Sequence, residues 1–190
     1  MVPDRECGAC TVCCVALPID SEEIQKAPGI ACRHCQSGGG CGVYETRPNV
    51  CRIYHCGWRQ MRELDEMWRP DLSDVLIELH NDAIPVAYTR RPAVRLYVLS
   101  DPQIVLKRGF VSLVVRLVAN NIPTSLSVMG PRGCYPAVTF LNDLTRVASY
   151  AGDERGVSRA MGEMMAALAG YEYSPAVFKH SGNRTDLPEG

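Results

Sequence analysis

The sequence lacks a charge imbalance, a long apolar run, an apolar leader and any internal repeat, and each absence narrows what the chain can do. Twenty Lys and Arg stand against 21 Asp and Glu, for a formal net charge of -1 and a pI of about 6.4. No long-range field therefore draws the chain to nucleic acid or to anionic lipid, and neither is an expected partner. The longest apolar stretch, Val111 to Ala119, is broken by Arg116, too short and too polar to span a bilayer. The N-terminal MVPDRECGAC has no apolar h-region, so the expected location is cytoplasmic. Gly130-Pro131-Arg132-Gly133 reads as a turn and lacks the Lys-Ser/Thr of a phosphate-binding loop. His80, Asp82 and Asp101 are separate polar residues at expected strand ends and assemble no catalytic constellation, so no catalytic residue is assigned.

What the chain has is cysteine, and it has it in one place. Nine of its ten cysteines lie between residues 7 and 56, where an even scatter over 190 residues would put about three. They open as Cys7-x-x-Cys10-x-x-Cys13-Cys14 and continue with Cys32-x-x-Cys35, Cys41, Cys51 and Cys56. Two-residue spacing lets a tight turn aim successive sulfurs at one metal ion while backbone N–H groups offset the thiolate charge. In a reducing compartment thiols persist as thiols or ligands, and the neighbouring Cys13 and Cys14 suit a disulfide scaffold poorly. All nine are candidate metal ligands. Adjacent cysteines point apart, so Cys13 and Cys14 are expected to serve different sites or different atoms of one polynuclear centre. Nine sulfurs suffice for two four-coordinate sites with one left over.

Zinc is slightly favoured over iron, because repeated C-x-x-C pairs fit mononuclear tetrahedral sites. An iron-sulfur cluster is the alternative, since residue types alone do not separate the two. The ferredoxin spacing is missing, because Cys14 directly follows Cys13. A thiol oxidoreductase built on one C-x-x-C pair is the least favoured reading, as no strand-to-helix unit surrounds Cys7. His34 and His55 lie beside cysteines and could replace a thiolate, although a role beside the ligands is the simpler one. Arg33, Arg47, Arg52 and Arg59 could offset thiolate charge or lie in solvent. Cys134, far from the cluster, reads as a small buried hydrophobe.

The chain divides near Trp58 to Asp71, and the fold class is α+β. Residues 1–69 read as an irregular, metal-stabilised cysteine-rich module, residues 70–173 as a small α+β domain and residues 174–190 as a loosely ordered tail. In the first part only Ser21 to Lys26 reads as a short helix, with Ser21 as cap and Glu22 and Glu23 near its positive end. So few core residues cannot hold a fold, whereas thiolate coordination supplies on the order of 10 kcal/mol. In the second part Asp74–His80, Pro85–Thr89, Ala93–Leu99, Pro123–Met129 and Tyr135–Leu141 read as strands. Helices are expected from Pro102 or Lys107 to Asn120 and from Asp153 to Tyr171, the latter with Val157, Met161, Met164, Met165 and Leu168 on one face.

Cys7-x-x-Cys10-x-x-Cys13-Cys14, followed by Cys32, then Cys41-Gly42-Val43-Tyr44-Glu45-Thr46-Arg47-Pro48-Asn49-Val50-Cys51-Arg52 and Cys56-Gly57-Trp58, closely resembles the CxxCxxCC, or YkgJ-like, cysteine-cluster family of bacterial proteins, described as zinc- or iron-chelating. The likeness covers residues 7 to about 58. It implies that the family's eight cysteines are Cys7, Cys10, Cys13, Cys14, Cys32, Cys41, Cys51 and Cys56, with Cys35 a departure. It brings no reaction, and a protein partner stays unidentified. Within the motif Tyr44 is expected to pack over the metal loops, Arg47 to bond loop carbonyls or a sulfur, and Trp58 to lie at the junction of the two parts.

Overall fold

The computed structural model describes residues 1–88 and 92–178. Short elements dominate the first third. Helix α1 (Val12–Ala16) precedes strands β1 (Ile19–Asp20) and β2 (Gln25–Lys26), then helices α2 (Asn49–Ile53), α3 (Gly57–Gln60) and α4 (Pro70–Ser73). Regular elements follow: β3 (Val75–His80), β4 (Ala93–Val98), α5 (Arg108–Ala119), β5 (Thr124–Val128), β6 (Ala137–Phe140), α6 (Leu141–Tyr150) and α7 (Glu154–Ala167). The fold is α+β. No helix among the described residues is long and apolar enough to cross a membrane.

Strands β3 to β6 form one sheet in sequence order, antiparallel except for the parallel pair β4–β5. A parallel step needs a crossover, and α5 supplies it. Strand alternation then sorts the side chains onto two faces. Val75, Ile77, Val94, Leu96, Val98, Leu126 and Val128 pack with Phe110, Leu113, Val114 and Leu117 of α5 and with Val157, Met161 and Met164 of α7. The residues between them, Leu76, Glu78, Arg95, Tyr97, Ser125 and Ser127, face the other way, as the register Glu78↔Arg95↔Ser125 and Leu76↔Tyr97↔Ser127 requires. There Leu76 and Tyr97 pack against Ala16, Leu17, Val12, Cys13, Tyr54 and Cys56. The cysteine-rich loops thus cover the sheet face that the helices leave bare.

Two contacts fasten those loops. Arg5 donates to the carbonyls of Trp58, Met61 and Leu64, with its guanidinium 5.1 Å from the Trp58 ring centre. Trp58 itself is buried in the helix-side core.

Several elements depart from the sequence reading. Ser21–Lys26 is not helical: the Ser21 hydroxyl accepts from Ile24 N–H (3.2 Å) and donates to Ile24 carbonyl (3.0 Å), closing a turn between β1 and β2. The side chain that would cap a helix is thus spent on a turn. Pro85–Thr89 forms no strand over its described part; Val86–Tyr88 is a 3-10 turn, with Val86 fully in solvent and Tyr88 edge-on to Phe140 at 5.4 Å, and Thr89 lies outside the described residues. The segment from Pro102 begins as a 3-10 turn capped by Asp101 before α5 starts at Arg108. The strand expected over Tyr135–Leu141 is confined to Ala137–Phe140, and Leu141 starts α6, an unexpected helix. Cys134 is half-buried rather than buried. It bridges to Pro175, and Tyr135 N–H and Ala176 N–H bond Ser174 and Gly133 carbonyls, so the first residues of the 174–190 stretch run alongside the loop before β6. Residues 179–190 lie outside the described residues.

Gly57, between Cys56 and Trp58, is a point of close approach: a Cβ there would meet Ile77 Cγ2 at 2.5 Å and Ile77 Cβ at 2.8 Å. Gly57→Ala should therefore push α3 off β3 and destabilise the chain by about 1–3 kcal/mol, measured by urea unfolding. An unchanged midpoint would contradict that packing.

Candidate metal centre

Cysteines become neighbours here through turns rather than long elements. Cys10 N–H bonds Cys7 carbonyl (2.9 Å), Cys35 N–H bonds Cys32 carbonyl (2.9 Å) and Cys32 N–H bonds Cys14 carbonyl (2.9 Å). The Cys7–Cys10 and Cys32–Cys35 pairs thus each close a turn, and the third bond ties the Cys32 turn to Cys14. Cys51 lies on α2 behind Pro48, whose carbonyl accepts from Cys51 N–H (2.9 Å), and Cys56 caps the start of α3.

Between these turns and the sheet lies a cavity of about 520 Å³. Cys7, Cys10, Cys13, Cys14, Cys32, Cys41, Cys51 and Cys56 line it, and Cys35 does not. All ten cysteines are free. The sulfurs ring the cavity without converging: among the described residues, no three His, Cys, Asp or Glu side chains are arranged to hold a metal ion.

Electrostatic neighbours divide the sulfurs. Cys10 feels Cys56 and Cys7, Cys13 feels Cys7 and Cys10, and Cys56 feels Cys7. On the other side Cys51 feels Cys14, Cys32 and Cys41, while Cys35 feels Cys14 and Cys32. The adjacent pair joins the two sets. The Cys13 thiol donates to Cys14, which raises Cys13 and, with a second thiol donated by Cys35, brings Cys14 down to about 6. Burial pushes the Cys10 and Cys35 thiols up to about 11 and raises Cys51 and Cys56 as well.

The positive groups expected from the sequence are unequal. Arg59 is buried and reaches Cys7 Sγ (3.7 Å), His55 Nδ1 (3.3 Å) and Arg5 carbonyl (2.8 Å). Arg47 stacks 3.9 Å over the Tyr44 ring and donates to Tyr44 carbonyl (3.3 Å), so its expected bond to a loop carbonyl is present. Arg33 is exposed and reaches Glu23 carbonyl at 3.4 Å. His34 and His55 both line the cavity. His34 offers its backbone N–H to Cys32 Sγ (3.5 Å), and burial lowers the His55 imidazole below its usual value.

Sequence reasoning missed Lys26. It is buried on β2 and donates to the carbonyls of Leu17, Val15 (3.0 Å) and Ala27 (3.2 Å), beside Cys32 and Cys14. Burial pulls its amine down to about 8. A lone lysine within an expected helix gave no signal, because its role follows from a hairpin that places it under the α1 carbonyls. Also missed was the opposite wall, where Glu78, Arg95, Tyr97 and Asp82 join Tyr54 around the same cavity. Asp82 is not separate from its neighbours: His80 Nδ1 lies 3.1 Å from Asp82 Oδ1 and Arg95 Nη2 lies 3.6 Å from Asp82 Oδ2.

No family model, no curated protein and no solved structure matches the chain.

Lys26→Met keeps the aliphatic stem but leaves three carbonyls without their donor. It should cost about 1.5–3 kcal/mol in urea unfolding; a change under about 0.5 kcal/mol would show that the ammonium does not hold α1 to the hairpin.

Proposed function

We propose that the chain is a metal-binding protein that chelates zinc or iron through its cysteine cluster and acts as a structural or partner-binding module. One observation carries the reading: the eight cysteines of the motif line a single cavity, while Cys35, the departure from the motif, stays off it. On this reading the chain belongs with the cysteine-cluster family that its sequence resembles, and its place is the cytoplasm, where thiols stay reduced.

The donor set fits a thiophilic metal, since thiolates suit zinc and iron-sulfur centres alike. Two sets follow from the electrostatic neighbours, Cys7, Cys10, Cys13 and Cys56 on one side and Cys14, Cys32, Cys41 and Cys51 on the other. Each holds four sulfurs, the number a closed tetrahedral site takes. The sulfurs ring the cavity without converging, so binding has to draw the loops inward. Coordination coupled to folding in this way is usual for small metal-held modules. Buried thiols with raised pKa values hold their protons until metal replaces them, so loading releases protons and strengthens as pH rises. Arg59 on Cys7 and the His34 N–H on Cys32 would offset thiolate charge in the respective sets.

A closed tetrathiolate zinc site supplies folding energy without chemistry, whereas an iron-sulfur centre supplies an electron. The Cys13–Cys14 contact, which brings the two sets side by side, favours the second reading enough to test it.

Metal per chain, measured on oxygen-free protein, separates these outcomes. Two zinc ions and no colour are expected; iron with acid-labile sulfide and absorbance at about 400 nm would select the iron-sulfur reading. Cys10→Ser should remove about half of the metal and Cys51→Ser the other half, with Cys35→Ser unchanged. Full occupancy in the first two variants would sink the ligand assignment.

A further inference from the structure

The sheet wall of the cavity carries chemistry that thiolate coordination does not use. Glu78 and Arg95 face each other across β3 and β4, their side chains only 18% and 16% exposed. Glu78 Oε2 accepts from Tyr97 hydroxyl (3.1 Å) and from Arg95 Nη1 (3.3 Å), and Arg95 Nη2 faces Asp82. The carboxylates thus hold one edge of the guanidinium. Its Nε–H is buried and finds no acceptor among the described residues, and the same is true of the Tyr54 hydroxyl. Both residues line the cavity.

Buried polar groups are nearly always paired, so unpaired donors in the lining of one cavity mark the place of an acceptor. Arg47, whose Nε–H is likewise buried without an acceptor among the described residues, adds a second such guanidinium to the lining. Leu17, Ile24 and Leu76 supply apolar wall. A volume of about 520 Å³ matches the size of small-molecule sites.

We propose that this cavity binds a small organic carboxylate, with Arg95 Nε–H and the Tyr54 hydroxyl as donors to its oxygens and its carbon skeleton against the apolar wall. The inference goes beyond metal binding and rests on Arg95 of the sheet and Tyr54 of the loop after α2. Phosphate shares the charge but not the hydrocarbon, and so it serves as the discriminating probe.

The test is calorimetric titration of the full chain as purified, with metal content measured on the same sample. The probes are acetate, succinate, citrate, benzoate and inorganic phosphate. Saturable one-to-one binding of at least one carboxylate is expected. It should weaken at least tenfold in Tyr54→Phe and in Arg95→Gln, and partly recover in Arg95→Lys, with metal content and near-ultraviolet circular dichroism unchanged in Tyr54→Phe. No carboxylate binding, binding undiminished in Tyr54→Phe and Arg95→Gln, or phosphate bound as well as every carboxylate would overturn the proposal. Metal-loaded protein that binds no carboxylate counts against this inference alone, and metal-free protein that binds one counts against metal chelation alone.

Discussion

Packing of Leu76 and Tyr97 on Ala16 and Leu17 joins the two parts of the chain, and the cavity exists because of it. The helices α5, α6 and α7 leave the second face of the sheet open, and the cysteine-rich loops have little apolar surface of their own. These four side chains let each cover the other. Only a small patch closes in this way, since beyond Leu76 and Tyr97 the same face turns polar with Glu78 and Arg95. The apolar contact at one end holds the loops against the sheet without filling the space beside Glu78 and Arg95, which line the cavity. Cys13, Tyr54 and Cys56 pack against the apolar patch itself, so the site and the junction share residues.

The same economy recurs in the loops. Arg5 and Arg59 bond carbonyls far along the chain and Lys26 bonds carbonyls nearer in sequence, in place of the larger apolar core that the first third lacks. Cationic side chains are costly to bury unless their donors are satisfied. Here the carbonyls of irregular turns satisfy them, and the positive charge lies beside thiols. On the metal-binding proposal, a module built this way is marginally stable as a thiol form and firmer once its sulfurs are bridged. The free thiols with raised pKa values on burial and the non-converging sulfurs are both properties of the first state.

Much of the second part was legible in the sequence, because its strands are rich in Val, Ile and Leu and α7 repeats its apolar residues every turn. Helix α6 was not, since its buried face is Leu141, Asn142, Thr145 and Ser149 while Leu144, Val147 and Tyr150 point to solvent. Asn142 earns its burial by accepting from Thr124 N–H (2.7 Å) and donating to Ile122 carbonyl (2.8 Å), a pairing that no periodicity shows. In the first part the cysteines were visible from spacing, but their grouping was not: Cys56 joins Cys7 and Cys10 only because α3 docks on the sheet. The wall of Glu78, Arg95 and Tyr97 was hidden for the same reason, as cross-strand register brings together residues that lie 17 and 19 positions apart.

On the metal-binding proposal, the eight cavity cysteines hold metal through sulfur. X-ray absorption at the zinc and iron edges, on protein purified without oxygen or added metal, reads the metal's ligand shell directly. An all-sulfur shell is expected, at about 2.3 Å for zinc. A shell of nitrogen and oxygen, or an absent metal edge, would contradict it.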